Sequence, residues 1–184
     1  KTIDTNAGPK GTEESFYRNV GYIAELAEEM DLLVYLETHG DLITDGKTGV
    51  ELLSKVKSDR VRMSYDPANV TFLSHGEVDV SEDLEYAMQY VGSIHFKGVR
   101  YDAEEDTWYF PRLKDSAIDY DKLFSVLERN KYRGDIAIEV EDHLKVVRGK
   151  IVESPEKRTI HEVVRAYNSD FSFIVSRMVW WGTF

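Results

Sequence analysis

The chain has 184 residues, 42% of them hydrophobic and 31% charged, a balance ordinary for a globular protein. No apolar run approaches the roughly 20 residues that span a bilayer, and the absence of cysteine excludes disulfides. A net charge of −11, spread along the sequence, argues against a nucleic-acid partner; with no signal-peptide pattern in view, the expected compartment is the cytoplasm.

Thr2-Ile3-Asp4 reads as the end of a strand that runs into a Gly/Pro loop reaching Gly11. Thr12 can cap a helix whose Phe16, Val20, Ile23, Leu26 and Met30 recur at intervals of three and four, which predicts one buried stripe. An apolar strand ends at Glu37. Thr48 and Glu51 then suit a capping box for a helix burying Leu52, Leu53 and Val56. After a strand ending at Asp66, Ser81 is placed to cap a helix carrying Leu84, Ala87, Met88 and Val91, followed by a strand through His95 to Lys97. Arg100 to Ser116 reads as a long charged loop. A helix with Leu123, Phe124 and Leu127 is expected to stop near Gly134, and a strand to reach Val140. Ser154-Pro155 has the form of a helix start. Residues 154–184 are then a helical tail through Ile160, Val163, Val164 and Tyr167. Its aromatic end, Trp180, Trp181 and Phe184, suits a packed terminus or a contact between subunits.

Repeated helix and strand define an α/β chain with a parallel sheet. Glu37, Asp66, His95 and Glu139 each end an apolar run, and the first two intervals, 66 − 37 and 95 − 66, are both 29, about one strand-plus-helix unit. Such residues stand at the C-terminal strand ends, where β/α barrels carry their chemistry. Side chains alternate along a strand, so Tyr35, Ser64, Ser93 and Ala137 share their face, while Leu36, Tyr65, Ile94 and Ile138 face the helices. Three carboxylates and one imidazole suit one divalent ion, Mn²⁺ first, with Mg²⁺, Co²⁺ and Zn²⁺ as alternatives. A complete barrel typically takes about 250 residues. The whole chain, 1–184, is therefore expected to be the C-terminal half of a single (β/α)₈ TIM-barrel domain, and a half-barrel that dimerises is the alternative.

Leu36-Glu37-Thr38-His39-Gly40, Tyr65-Asp66-Pro67-Ala68-Asn69, His95-Phe96-Lys97 and Gly134-Asp135-Ile136-Ala137-Ile138-Glu139 follow one another in an order that resembles the xylose-isomerase-like sugar isomerase/epimerase barrels. That superfamily includes tagatose/psicose 3-epimerases, hydroxypyruvate isomerases and inosose dehydratases. The resemblance covers Thr2 to Val140. It implies that Glu37, Asp66, His95 and Glu139 bind one metal ion, and that Glu37 and Glu139 also move protons on carbon beside a carbonyl. The chain departs from the family in three places. Asn69 stands where epimerases often have His, Gly98 where many members have Asp, and Leu113 to Asp119 replaces a Gly-rich stretch.

The expected function is thus a metal-dependent isomerase or epimerase acting by proton transfer on a keto-sugar or polyol. His39, Asn69, Lys97 and Arg100 are the expected substrate contacts: the first three lie near the ligands, and Arg100 offers a charge to an anionic group. Return of the proton to the other face is epimerisation, return to the neighbouring carbon isomerisation, and loss of hydroxide dehydration. An inosose-type dehydratase on the same site is the first alternative. A zinc phosphodiesterase resembling endonuclease IV fits less well, because the chain is acidic and has five histidines; a non-catalytic sugar-binding domain is the third. Expected partners are a small sugar or polyol and, as an open option, copies of the same chain.

Overall fold

In the computed structural model, which describes residues 1–154 and 158–180, strand and helix alternate from β1 to α3, as the hydrophobic periods predict, and beyond α3 a second helix and short paired strands interrupt the alternation. They begin β1 (Thr2–Thr5), α1 (Glu13–Glu29), β2 (Leu33–Glu37), α2 (Gly46–Leu53), β3 (Val61–Tyr65), α3 (Pro67–Leu73), α4 (Val80–Ala87) and β4 (Val91–Phe96). They continue β5 (Arg100–Asp102), β6 (Thr107–Tyr109), α5 (Tyr120–Arg129), β7 (Asp135–Ile138), β8 (Leu144–Val147), β9 (Lys150–Glu153) and α6 (Ile160–Trp180). Two compact units result: Lys1–His95 with Arg133–Ile136, and Phe96–Tyr132 with Ala137–Phe184. Among the described residues no helix is long and apolar enough to cross a membrane.

In the first unit β1, β2, β3 and β4 pair in parallel and in sequence order, and β7, which begins in this unit, lies next to β4. Leu36, Tyr65 and Ile94 are buried beneath the helices, as their alternation requires. The register shifts between Met63/Val91 and Ser64/Ser93, so β4 carries one extra residue, Gly92. A Cβ at Gly92 would lie 2.5 Å from the Tyr35 ring; glycine leaves room for that ring, whose hydroxyl reaches Asp135 at 3.0 Å. A side chain of β2 thereby touches the start of β7, so the sheet is strongly curved, as a barrel wall is.

Several expected boundaries move. Thr12 precedes α1 but its hydroxyl donates to the Pro9 carbonyl at 2.6 Å and does not cap the helix. Of the α1 stripe only Phe16 and Val20 are buried, while Ile23 and Met30 are 41% and 61% exposed. Ile23 lines a cleft of about 410 Å³ with Phe16, Val20 and Leu36, so its face of the helix is incompletely covered. The capping box at α2 is Asp45/Thr48, three residues before the expected pair: Asp45 Oδ1 accepts the Thr48 N–H at 2.7 Å, and Thr48 Oγ1 accepts the Asp45 N–H at 3.1 Å. Asp79, not Ser81, caps α4, and Val91 belongs to β4.

Asp83 of α4 adds a second carboxylate to the α2 terminus, accepting from the Gly46 and Lys47 N–H groups at 2.6 and 3.2 Å and from the Tyr65 hydroxyl at 2.9 Å. Asp83→Ala should therefore cost about 1–2 kcal/mol in urea unfolding, because it strips an acceptor from a helix terminus, while the buried Tyr65 hydroxyl keeps the Val80 carbonyl at 3.1 Å. Burial, outweighing the donors that favour the anion, holds the Asp83 carboxyl above the usual carboxylate range. The folded chain thus keeps this proton more tightly than the unfolded chain does. Its contribution to stability should fall as pH rises from the ordinary carboxylate pKa through the raised one, and Asp83→Asn should remove that slope.

In the second unit β5, β6, β8 and β9 form an antiparallel sheet in that order. The expected charged loop 100–116 thus contains a hairpin, and a second hairpin precedes the tail. Strands of three or four residues are too short to show a period of two. Tyr101, Trp108, Val146 and Ile151 stand in one row across it, with Trp108 and Val146 buried. α5 buries Tyr120, Leu123, Phe124, Val126 and Leu127 and ends at Asn130, ahead of Gly134. α6 begins at Ile160 rather than at the expected Ser154-Pro155. Thr159 starts it: its N–H donates to Glu162 at 2.7 Å, and its hydroxyl accepts the Glu162 N–H at 3.3 Å. Asp170 of α6, 2% exposed, takes Arg112 at 2.7 Å and the Leu113 N–H at 3.2 Å. Pro155, Trp181, Phe184 and the side chain of Trp180 lie outside the described residues.

Candidate metal centre

Glu37 closes β2, Asp66 follows β3, and His95 lies near the end of β4. Adjacent parallel strands in register bring these ends to one side of the sheet, and the pleat turns the three side chains to one face. One donor atom from each lies within 4.8 Å of the other two. Glu37 Oε1 is 3.3 Å from His95 Nδ1. Ligand atoms about 2.1 Å from one small divalent ion stand about 3 Å apart when their directions are perpendicular, so the spacing and the mixed O/N donor set fit such an ion.

Each donor is also held from behind. Asn69 Nδ2 donates to Glu37 Oε1 at 3.1 Å. Asp66 is fully buried, and its Oδ1 caps α3 by accepting the Ala68 and Asn69 N–H groups at 2.7 and 3.0 Å. Pro67 supplies the first helical residue, so Asp66-Pro67 starts a helix as well as ending a strand. Thr38 Oγ1 accepts the Asp66 N–H at 2.8 Å. His95 Nε2 lies 2.9 Å from Asp4 Oδ2 of β1. Burial first, then the Asp135 carboxylate, pushes the Tyr35 phenol up to about 12, so it stays a neutral donor at physiological pH.

The remaining expected site residues separate into two groups. Asn69 touches a proposed ligand directly, whereas the His39 side chain is exposed beyond β2. In the second unit Glu139 follows β7, and its N–H donates to the Phe96 carbonyl at 3.0 Å. Lys97, 3% exposed, places Nζ 3.0 Å from Glu139 and 3.1 Å from Glu141. Arg100 is exposed in the β5–β6 hairpin and lies over the Tyr109 ring at 5.4 Å. Asp4 and Thr38 escaped the sequence patterns. Asp4 shows as a carboxylate on an interior strand position, and Thr38 as a hydroxyl next to Glu37, neither with a spacing that marks it.

Parallel strands whose C-terminal ends present carboxylates and an imidazole on one face define a β/α-barrel protein able to hold a divalent ion. The chain belongs to the xylose isomerase-like TIM-barrel family, whose model matches residues 2–167. Among solved structures it is similar to a xylose isomerase domain protein from Planctomyces limnophilus, at 18% identity and TM-score 0.73, covering 100% of this chain and 60% of that one. It is also similar to D-allulose 3-epimerase from Methylomonas sp., at 14% identity and TM-score 0.69, covering 96% of this chain and 63% of that one. A third is a xylose isomerase-like TIM-barrel protein from Mycobacterium smegmatis in complex with magnesium, at 17% identity and TM-score 0.61, covering 75% and 47%. The chain thus spans less than two thirds of each of these proteins, and the likeness establishes the fold. No curated protein matches.

Proposed function

We propose that this chain carries the metal-binding side of a sugar isomerase or epimerase that acts by proton transfer on a keto-sugar or polyol, on carbon beside the carbonyl where the substrate is a keto-sugar. The observation that carries the proposal is the convergence of Glu37, Asp66 and His95 from three adjacent parallel strands. Glu139 is proposed as the fourth ligand from its residue type and its place at the end of β7, the strand next to β4. A bound divalent ion, Mn²⁺ first, would act as a Lewis acid on the substrate oxygens. Glu37 and Glu139 would take the proton from one side and return it on the other. Asn69 fixes the Glu37 carboxylate from behind, and Lys97 anchors Glu139. His39 and Arg100 would contact the outer substrate hydroxyls or an anionic group. The epimerase and the magnesium-bound protein among the similar structures support this chemistry on a small molecule.

Titration of the whole protein with Mn²⁺ in a calorimeter should reveal one tight site, which Asp66→Ala weakens at least about 100-fold by removing a ligand. Incubation of the Mn²⁺ protein with keto-sugars and inososes in D₂O should place deuterium on the carbon next to the carbonyl of one class. A folded protein that takes up no divalent ion would sink the proposal.

A further inference from the structure

We infer that Asp4 is the positioning residue of the metal centre: its carboxylate sets the tautomer and the aim of His95, so that Nδ1 offers its lone pair beside Glu37. The inference rests on the metal reading of Glu37, Asp66 and His95 and adds a residue that the motifs do not contain. A neutral imidazole carries one N–H, on either ring nitrogen. An ionised carboxylate can only accept. Asp4 Oδ2 stands 2.9 Å from His95 Nε2, so it selects the tautomer with hydrogen on Nε2. Nδ1 is left as an acceptor or ligand, and it lies 3.3 Å from Glu37 Oε1. The ring is 8% exposed, which leaves little water to compete for either nitrogen.

The contact is not a by-product of local geometry. Asp4 and His95 are 91 residues apart, on strands that stand first and fourth in the sheet. Three inter-strand steps of about 4.8 Å would separate them by about 14 Å in a flat sheet. The interior curvature brings the two side chains together over the neighbouring strands, and Asp4 reaches His95 although all of β1, Asp4 included, is exposed. A carboxylate behind a ligating histidine raises the basicity of the ring and holds its plane; loss of such a partner typically weakens metal binding about 10–100-fold.

Asp4→Ala and Asp4→Asn in the whole protein test this in two independent ways. In metal-free protein, at a pH that leaves the ring neutral, ¹⁵N imidazole shifts should report hydrogen on His95 Nε2 in the parent. Asp4→Ala should give a mixture of tautomers. Asp4→Asn keeps an acceptor oxygen and should retain most of the parent tautomer. Mn²⁺ affinity should fall about 10–100-fold in Asp4→Ala and recover in part in Asp4→Asn, with unfolding midpoints unchanged. Parent affinity together with an unchanged tautomer in Asp4→Ala would overturn the role of Asp4. A parent protein that binds no Mn²⁺ would overturn the metal reading instead, and the ¹⁵N shifts would still decide what Asp4 does to the ring.

Discussion

Glu139→Gln and Glu37→Gln should each remove the exchange of solvent deuterium into substrate, by about 10²–10⁴-fold, while substrate binding stays measurable. Glutamine keeps the size and an acceptor oxygen but has no basic carboxylate to take a proton from carbon. The two variants should differ in their secondary effects. Glu37→Gln weakens a donor to the metal centre, although its amide oxygen can still accept from Asn69 Nδ2, now 3.1 Å from Oε1. Metal affinity should therefore fall along with exchange. Glu139→Gln removes one of the two carboxylates on Lys97, but Glu141 remains 3.1 Å from Nζ, so the buried ammonium keeps an anionic partner and the fold should hold. Exchange measured by NMR in D₂O, with Mn²⁺ saturating, separates loss of chemistry from loss of metal. Near-normal exchange in both variants would move the proton-transfer role to another group, with Lys97 first in line.

Gly98→Ala should destabilise the protein by more than about 3 kcal/mol, at or beyond the upper end for overpacked positions. A Cβ built on Gly98 falls 1.9 Å from the Pro111 carbonyl oxygen, 2.8 Å from its carbon and 3.1 Å from the Arg112 carbonyl oxygen. All three are backbone atoms, so no side-chain rotation relieves the clash. The segment is also tied down: Arg112 pairs with buried Asp170 at 2.7 Å, and the next residue, Leu113, donates its N–H to the same carboxylate. On the other side the Val99 N–H donates to Ser116 at 3.1 Å. This supplies the reason for a departure from the family pattern, in which many members carry Asp after His-x-Lys. There is no space here for any side chain, and Gly98→Asp should be at least as damaging as Gly98→Ala. Thermal and urea unfolding of the two variants would check this. A Gly98→Ala protein within 1 kcal/mol of the parent would show that residues 111–112 move away at little cost.

The chain itself announced the strand ends. Glu37, Asp66 and His95 follow apolar runs whose parity is visible residue by residue, and Leu36, Tyr65 and Ile94 are buried opposite them as that parity demands. Both signals are local: a strand repeats every two residues and a helix every 3.6, whatever lies beyond them. Helix caps depend on more than local spacing. Thr48 is a plausible first residue of a capping box and instead serves as the last residue of one, because Asp45 and Asp83 both reach the α2 terminus. The hairpins β5–β6 and β8–β9 are too short to carry a period. What decided the remainder is curvature and close approach, which no spacing encodes. Asp4 meets His95 across the sheet only because the sheet bends, and Gly98 is required only because the backbone at Pro111 returns to it. Sequence determined which side chains each strand turns inward; the tertiary structure decided which of them touch, since contact distance depends on how the strands are arched and not on their order.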